Sequence, residues 1–140
     1  MISQREDLAE KIYMIGVLQQ NFIVERLKTL HLNSLQSRSL SFIAMHPGSI
    51  QRDLANYLGK QQATITNILK VLEEKQLIYR EIPKNNERQK NIYLTPDGEK
   101  MVEQVQAIFK ELGKLVEAAF TMEEKQQFEV FLKRTEDQLT

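Results

Sequence analysis

KQQATITNILKVLEEKQLI, residues Lys60 to Ile78, decides the reading of this chain. Ile65, Ile68, Leu69 and Leu72 recur at helical offsets, the mark of one apolar face on an amphipathic helix. The opposite face carries Ala63, Thr66, Asn67 and Lys70, and its acids, Glu73 and Glu74, come only in the last turns. Small, polar and cationic side chains at the N-terminal end of such a helix suit close approach to base edges in a major groove. A solvated surface helix is the competing reading, and the neighbouring segments decide between them.

SIQRDLANYLG, Ser49 to Gly59, lies immediately before. Ser49 is the expected N-cap. Ile50, Leu54 and Leu58 form an inner stripe, Ala55 leaves room for a close helix crossing, and Gly59 ends the helix. Two short helices around a glycine turn predict a helix-turn-helix. IYREI (78–82), the polar tip PKNNERQK (83–90) and NIYLT (91–95) come immediately after. Ile78, Arg80 and Ile82 alternate with Tyr79 and Glu81, as Ile92 and Leu94 do with Tyr93, which predicts a β-hairpin. The fold class expected is mainly α with a small two-stranded wing: a winged helix-turn-helix.

The 140-residue chain is the length of one domain. It has no cysteine, which excludes disulfides, thiolate zinc sites and thiol redox sensing. No run reaches the ~18 apolar residues of a membrane span, and the start is polar with mixed charge, so a soluble cytoplasmic protein without a membrane partner is expected. Formal net charge is zero but unevenly spread. Residues 60–95 hold seven bases against four acids, and residues 96–140 six bases against ten acids. A basic reader with compensating acidic helices fits nucleic-acid binding, though the excess is modest.

Residues 3–29 read as a first helix with Leu8, Ile12, Ile15, Leu18 and Phe22 in a stripe. Tyr13, Met14 and Val17 add apolar surface on its other sides. Such a helix is buried on more than one side, which points to a partner subunit. Ser34 to Met45 reads as a second helix, with Leu35, Leu40, Ile43 and Ala44 inward and Arg38 outward. Thr95-Pro96 opens a long helix whose Met101, Val105, Ile108, Leu112, Leu115 and Ala119 make a heptad-like seam, widened by Val102, Phe109 and Val116. Thr121 to Glu124 is a capping box opening a last helix expected to bury Phe128, Phe131, Leu132 and Leu139. Residues 1–30 and 96–140 are therefore expected to form a helical dimerisation region around the reader at 31–95. A two-fold dimer would set two recognition helices ~34–36 Å apart, one turn of DNA.

The run from Leu32 to Ile82, continued through NNERQKNIYLTPDGEK, resembles the MarR family of bacterial transcriptional regulators. The resemblance rests most specifically on Gln36, Pro47-Gly48, Leu54-Ala55, Thr64-Ile65-Thr66, Leu72, Leu77-Ile78, Arg80, Arg88, and Leu94-Thr95 followed by Gly98. It implies a homodimer, a palindromic operator (an inverted repeat in double-stranded DNA), and repression relieved by a small ligand or an oxidant. The chain departs from the family pattern at four places. Asn86 stands where an Asp two residues before the wing Arg is usual, Asn67 where Arg is common in the recognition helix, and Gln76 where Gly usually precedes the first strand. Lys60 and Gln61 stand where Ser or Asp is common as the helix cap.

Gln62, Ala63, Thr66 and Asn67 are the expected base readers: Asn and Gln can bond adenine in two places, and Ala or a Thr methyl can meet thymine. Thr64 and Lys70 are expected on phosphate. Lys84, Arg88 and Lys90 belong to the wing tip, where an Arg can enter a narrow minor groove. Arg38 and Arg52 are further phosphate candidates. For each of these the alternative is a solvated surface side chain. Tyr13, Met14, Met45 and His46 are candidate lining for an effector site, and core packing explains the same residues. The two histidines, His31 and His46, read as ordinary loop residues, because zinc needs three or four ligands. No cofactor and no enzyme activity are expected: there is no Gly-rich phosphate loop and no nucleophile with a paired base. A winged-helix module that binds protein, and a metal-responsive regulator using both histidines, are the rival readings.

Overall fold

The computed structural model describes residues 6–85 and 89–140. The order is α1 (Leu8–Thr29), α2 (Ser34–Met45), α3 (Gln51–Leu58), α4 (Gln62–Glu74), β1 (Ile78–Glu81), β2 (Asn91–Leu94), α5 (Pro96–Glu117) and α6 (Met122–Leu139). The chain divides into two units, residues 1–108 and 109–140.

In the first unit the core gathers where α2, α3, α4 and the wing meet. Leu40, Ile43, Leu54, Leu58, Ile65, Ile68, Leu69 and Leu72 are buried there with Leu77, Ile78 and Ile92. The expected stripes of α3 and α4 are therefore the buried ones, except that Ile50 is only half-buried. β1 and β2 pair antiparallel with Ile78 opposite Leu94, Tyr79 opposite Tyr93, Arg80 opposite Ile92 and Glu81 opposite Asn91. Ile78 and Ile92 are fully or almost fully buried while Tyr79 is exposed, the alternation a one-sided sheet requires. Ile82 lies beyond the end of β1 and is exposed.

Ser49 does not cap α3. It forms a bridge with Ile92, whose N–H donates to the Ser49 carbonyl at 2.8 Å while the Gly48 N–H donates to the Ile92 carbonyl at 2.9 Å. The segment before the helix-turn-helix thus joins the two-stranded wing through a single bridge. The N-cap position falls to Ile50, whose N–H donates to the Asp53 carboxylate at 3.3 Å. The cap comes from inside the helix because Ser49 is held in extended pairing.

Two helices end alike. After α1 the His31 N–H donates to Lys28 and the Leu32 N–H to Leu27, both at 3.0 Å; after α4 the Gln76 N–H donates to Glu73 at 2.9 Å and the Leu77 N–H to Leu72 at 3.0 Å. His31 and Gln76 sit at φ 58° and 60°, the left-handed position that glycine usually fills in this motif. The apolar residue that follows, Leu32 or Leu77, is buried and holds the turn closed. Lys75 Nζ donates to the His31 carbonyl, tying the two ends together.

Thr95 starts α5 as expected. Its hydroxyl accepts from the Gly98 N–H at 3.0 Å and donates to the Gln76 carbonyl at 2.6 Å, and its N–H donates to the Leu77 carbonyl at 3.0 Å. Gly98 is buried so closely against this turn that an added Cβ would lie 2.0 Å from the Leu77 carbonyl oxygen. α1 begins at Leu8, capped by Asp7, whose carboxylate accepts the Glu10 N–H at 2.8 Å. The stripe expected of it is not buried within the chain: Leu8, Ile12, Ile15 and Leu18 are exposed, as are Tyr13 and Met14, and Ile23 and Leu27 are its core residues. In α5, Val102, Val105 and Ile108 are buried.

In the second unit, the Thr121–Glu124 capping box is present: the Thr121 N–H donates to Glu124 at 2.9 Å and the Glu124 N–H to the Thr121 hydroxyl at 3.1 Å. These bonds hold the Glu124 carboxyl below its ordinary value. Lys125 pairs with Glu117 at 2.9 Å, which raises its pKa. Phe120 and Phe128 meet edge to face at 5.1 Å. The expected burial of Phe128, Phe131, Leu132 and Leu139 does not occur in the single chain, where all four are exposed.

Two outcomes follow. Gly98→Ala forces a backbone carbonyl to move and should lower unfolding stability by about 2–3 kcal/mol in a denaturant titration. The Glu124 cap strengthens α6 above pH 4.5 and is lost as pH falls through the lowered pKa. Amide exchange in the first turn of α6 should therefore be flat above that pH and accelerate below it, once corrected for intrinsic rates, and Glu124→Gln should remove the step.

Candidate nucleic-acid interface

The buried stripe of α4 fixes which face is left outside. Gln62, Ala63, Thr66, Asn67 and Lys70 are exposed, and Thr64 is half-buried. α4 has Gln61 at its N-cap and no side-chain capping bond, so its first N–H groups carry no capping side chain.

Gln51 of α3 is a member of this surface that the sequence pattern does not single out. Its Nε2 donates to the Thr66 hydroxyl at 2.8 Å and to the Gln62 Oε1 at 3.1 Å. The Thr66 hydroxyl in turn donates to the Gln62 carbonyl at 2.9 Å. Two of the four expected base readers are thus held in place from the neighbouring helix. Gln at the first position of α3 was the available signal, but its contact depends on the crossing of two helices, which no local pattern states.

The wing is fastened to α4 by charge. Arg80 of β1 reaches Glu73 in the last turn of α4, with Nε and Nη2 both 2.5 Å from Oε1. An open cavity of about 440 Å³ lies between α3 and the wing, and Arg52, Arg80 and Lys90 contribute to its lining. It brings together three bases that lie far apart in the sequence.

Lys84 and Lys90 are exposed at the wing. Arg88 lies outside the described residues. Arg38 is exposed on α2 with its guanidinium 5.7 Å from the Tyr57 ring centre, and Tyr57 stacks on Phe42 at 4.7 Å. His46 packs at 4.7 Å on the other partner of that stack, Phe42. Met45 is 76% exposed. Tyr13, Met14, Met45 and His46 line neither the cavity above nor two others, one beside Tyr79 and Tyr93 of the wing and one at Val24 and Leu35. Among the described residues, no three His, Asp or Glu side chains are close enough to hold a metal ion, and no helix is long and apolar enough to cross a membrane.

A helix-turn-helix followed by a two-stranded wing, preceded and followed in the sequence by helical segments, defines the winged helix-turn-helix class. The comparisons are specific within it. The model of the MarR family matches residues 31–89. MepR, a transcription regulator of the Staphylococcus aureus multidrug efflux pump MepA, is 28% identical over 96% of this chain and 100% of its own, with a TM-score of 0.88. A single-residue variant of MepR reaches 0.91 at the same identity and coverage. MepR in complex with DNA is 28% identical over 96% of this chain and 99% of its own, with a TM-score of 0.75. A variant of MarR from E. coli, 22% identical, shares the fold at a TM-score of 0.78. The winged helix-turn-helix segment of this chain thus matches the MarR family model, and nearly the whole chain shares its fold with MepR.

The Arg80–Glu73 contact gives a direct check. Glu73→Gln leaves the Arg80 side chain, only 20% exposed, without its charged partner, and should cost about 1 kcal/mol in unfolding stability.

Proposed function

We propose that this chain works as a homodimer that binds an inverted repeat in double-stranded DNA and represses transcription until a small ligand releases it. The observation that carries the reading is the α4 surface. Its Gln62, Ala63, Thr66 and Asn67 are exposed together, two of them held by Gln51, beside a wing and a cavity rich in basic side chains. In this reading those four side chains meet base edges, Thr64 and Lys70 meet phosphate, and Lys84, Arg88, Lys90 and Arg38 add backbone or minor-groove contacts.

The dimer is supported by apolar surface without cover in the single chain: Leu8, Ile12, Ile15 and Leu18 on α1, and Phe128, Phe131 and Leu132 on α6. Patches of this kind mark association surfaces. The similarity to MepR, a regulator also known in complex with DNA, supports the same reading. Without cysteine, release would come from a ligand rather than from thiol oxidation.

The test is selection of bound duplexes from a random pool by the purified chain, with sedimentation at micromolar concentration. An enriched inverted repeat with half-sites one turn apart and a sedimenting dimer are expected. A monomer sinks the dimer reading, and no duplex binding at either low or physiological salt favours a protein-interaction module. On the selected site, Asn67→Ala should cost about 1–3 kcal/mol and relax preference at one base pair. Lys70→Ala should weaken all sequences alike and lower the salt slope by about one.

A further inference from the structure

The contact between α3 and α4 leaves its protons no choice of partner. The Gln62 main-chain carbonyl can only accept, and the Thr66 hydroxyl, 2.9 Å away, gives it its proton. The Thr66 oxygen is then an acceptor, so the Gln51 atom 2.8 Å from it must be the amide nitrogen Nε2. Turning the Gln51 amide over would set its oxygen 3.3 Å from the Gln62 main-chain oxygen, acceptor against acceptor. The same nitrogen faces the Gln62 side chain at 3.1 Å, and the atom that meets it must be the oxygen Oε1. An amide takes its orientation from the hydrogen bonds around it, and here one hydroxyl and one main-chain carbonyl orient two of them.

Gln62 is exposed at the first position of α4, the end of a recognition helix that meets base edges. With Oε1 held on Gln51, its outward group is Nε2, which carries two donors. A glutamine reads adenine by accepting from N6 while donating to N7. Gln62 could present both atoms only by drawing Oε1 off Gln51, which would strip a half-buried amide of an acceptor. Adenine carries that cost and guanine does not. Guanine offers two acceptors, O6 and N7, to a donor; cytosine offers only a donor of its own. Thr66 is committed in the same way. Its proton goes to Gln62 and its oxygen accepts from Gln51, so its methyl is what it brings to a base.

We propose that Gln51 is a positioning residue that fixes the polarity of Gln62, so that Gln62 reads guanine, and not adenine, in each operator half-site. The inference rests on the DNA-binding reading of α4 and changes one part of it. The two-point adenine contact expected of Gln62 from its residue type passes to Asn67, whose amide is exposed. The polarity can be reversed without touching α4. A carboxylate at position 51 only accepts, so in Gln51→Glu the Gln62 nitrogen turns inward and its oxygen outward, toward a base that donates: adenine through N6 or cytosine through N4.

The test compares base preference in the full-length parent, Gln62→Ala and Gln51→Glu, by competition among duplexes that vary the selected site one base pair at a time. Gln62→Ala marks the pair that Gln62 reads, as the position where preference is lost. In the parent that pair should be G·C, favoured about tenfold over A·T, and 7-deazaguanine there, which lacks the N7 acceptor, should weaken binding. In Gln51→Glu the preference at that pair alone should move to adenine or cytosine. The added charge weakens binding to all sequences alike, so it leaves the ratio between bases untouched. An acid in the first turn of α3 is favoured by the helix dipole, so the variant should melt like the parent. In the free chain, the side-chain amide protons of Gln51 should exchange with water more slowly than those of Gln62. Any pair other than G·C at the marked position, no marked position, an unchanged preference in Gln51→Glu, or equal exchange of the two amides would overturn the proposal. Sequence-specific binding with the wrong base at this pair removes this inference and leaves the operator reading standing; absence of duplex binding removes both.

Discussion

One side of a thirteen-residue helix governs the reader. Ile65, Leu69 and Leu72 of α4 have no accessible surface, and Ile68 has little. Burying four large aliphatic side chains contributes roughly 1.5–3 kcal/mol each. That is far more than any exposed hydrogen bond nearby, so the helix cannot rotate about its axis without losing its seat. The outward face is a consequence of the inward one. Gln62, Ala63, Thr66 and Asn67 are presented together because Ile65, Ile68 and Leu69 are not free to turn. The wing follows the same logic: Leu77, Ile78 and Ile92 are buried, and Tyr79 is left exposed on the other face.

Much of this was legible in the residues. The apolar spacing of α3, α4 and the seam of α5 gave the helices, and alternation gave both strands to within a residue. Thr95-Pro96 and Thr121 to Glu124 marked two helix starts that the structure realises with the expected hydrogen bonds. These signals are local, and each has a physical cause within four or five residues. The MarR resemblance was legible too, because its signature lies in that same local region.

What escaped depends on distance in space. Ser49 looks like a cap by composition, yet a strand forty-three residues later claims it. Gln51 looks like an ordinary polar helix residue until α4 crosses it. The stripes of α1 and α6 are apolar as read, but among the described residues of one chain they stay exposed, including the Phe128, Phe131, Leu132 and Leu139 expected to be buried. Periodicity reports that a face avoids water, not what keeps water away. The two wing cavities were invisible for a related reason, since their linings come from three and four separate segments.

The Gln51 contact has a consequence for how such a reader changes over time. A recognition face on one helix could be altered one side chain at a time. Here Gln62 and Thr66 share an amide donor with α3, and substitutions at touching residues do not combine additively. Replacing Thr66 removes a hydroxyl that Gln51 uses, and so changes the setting of Gln62 as well. Under the proposed reading, a change at Gln51, Gln62 or Thr66 would therefore act on sequence preference through the other two as well.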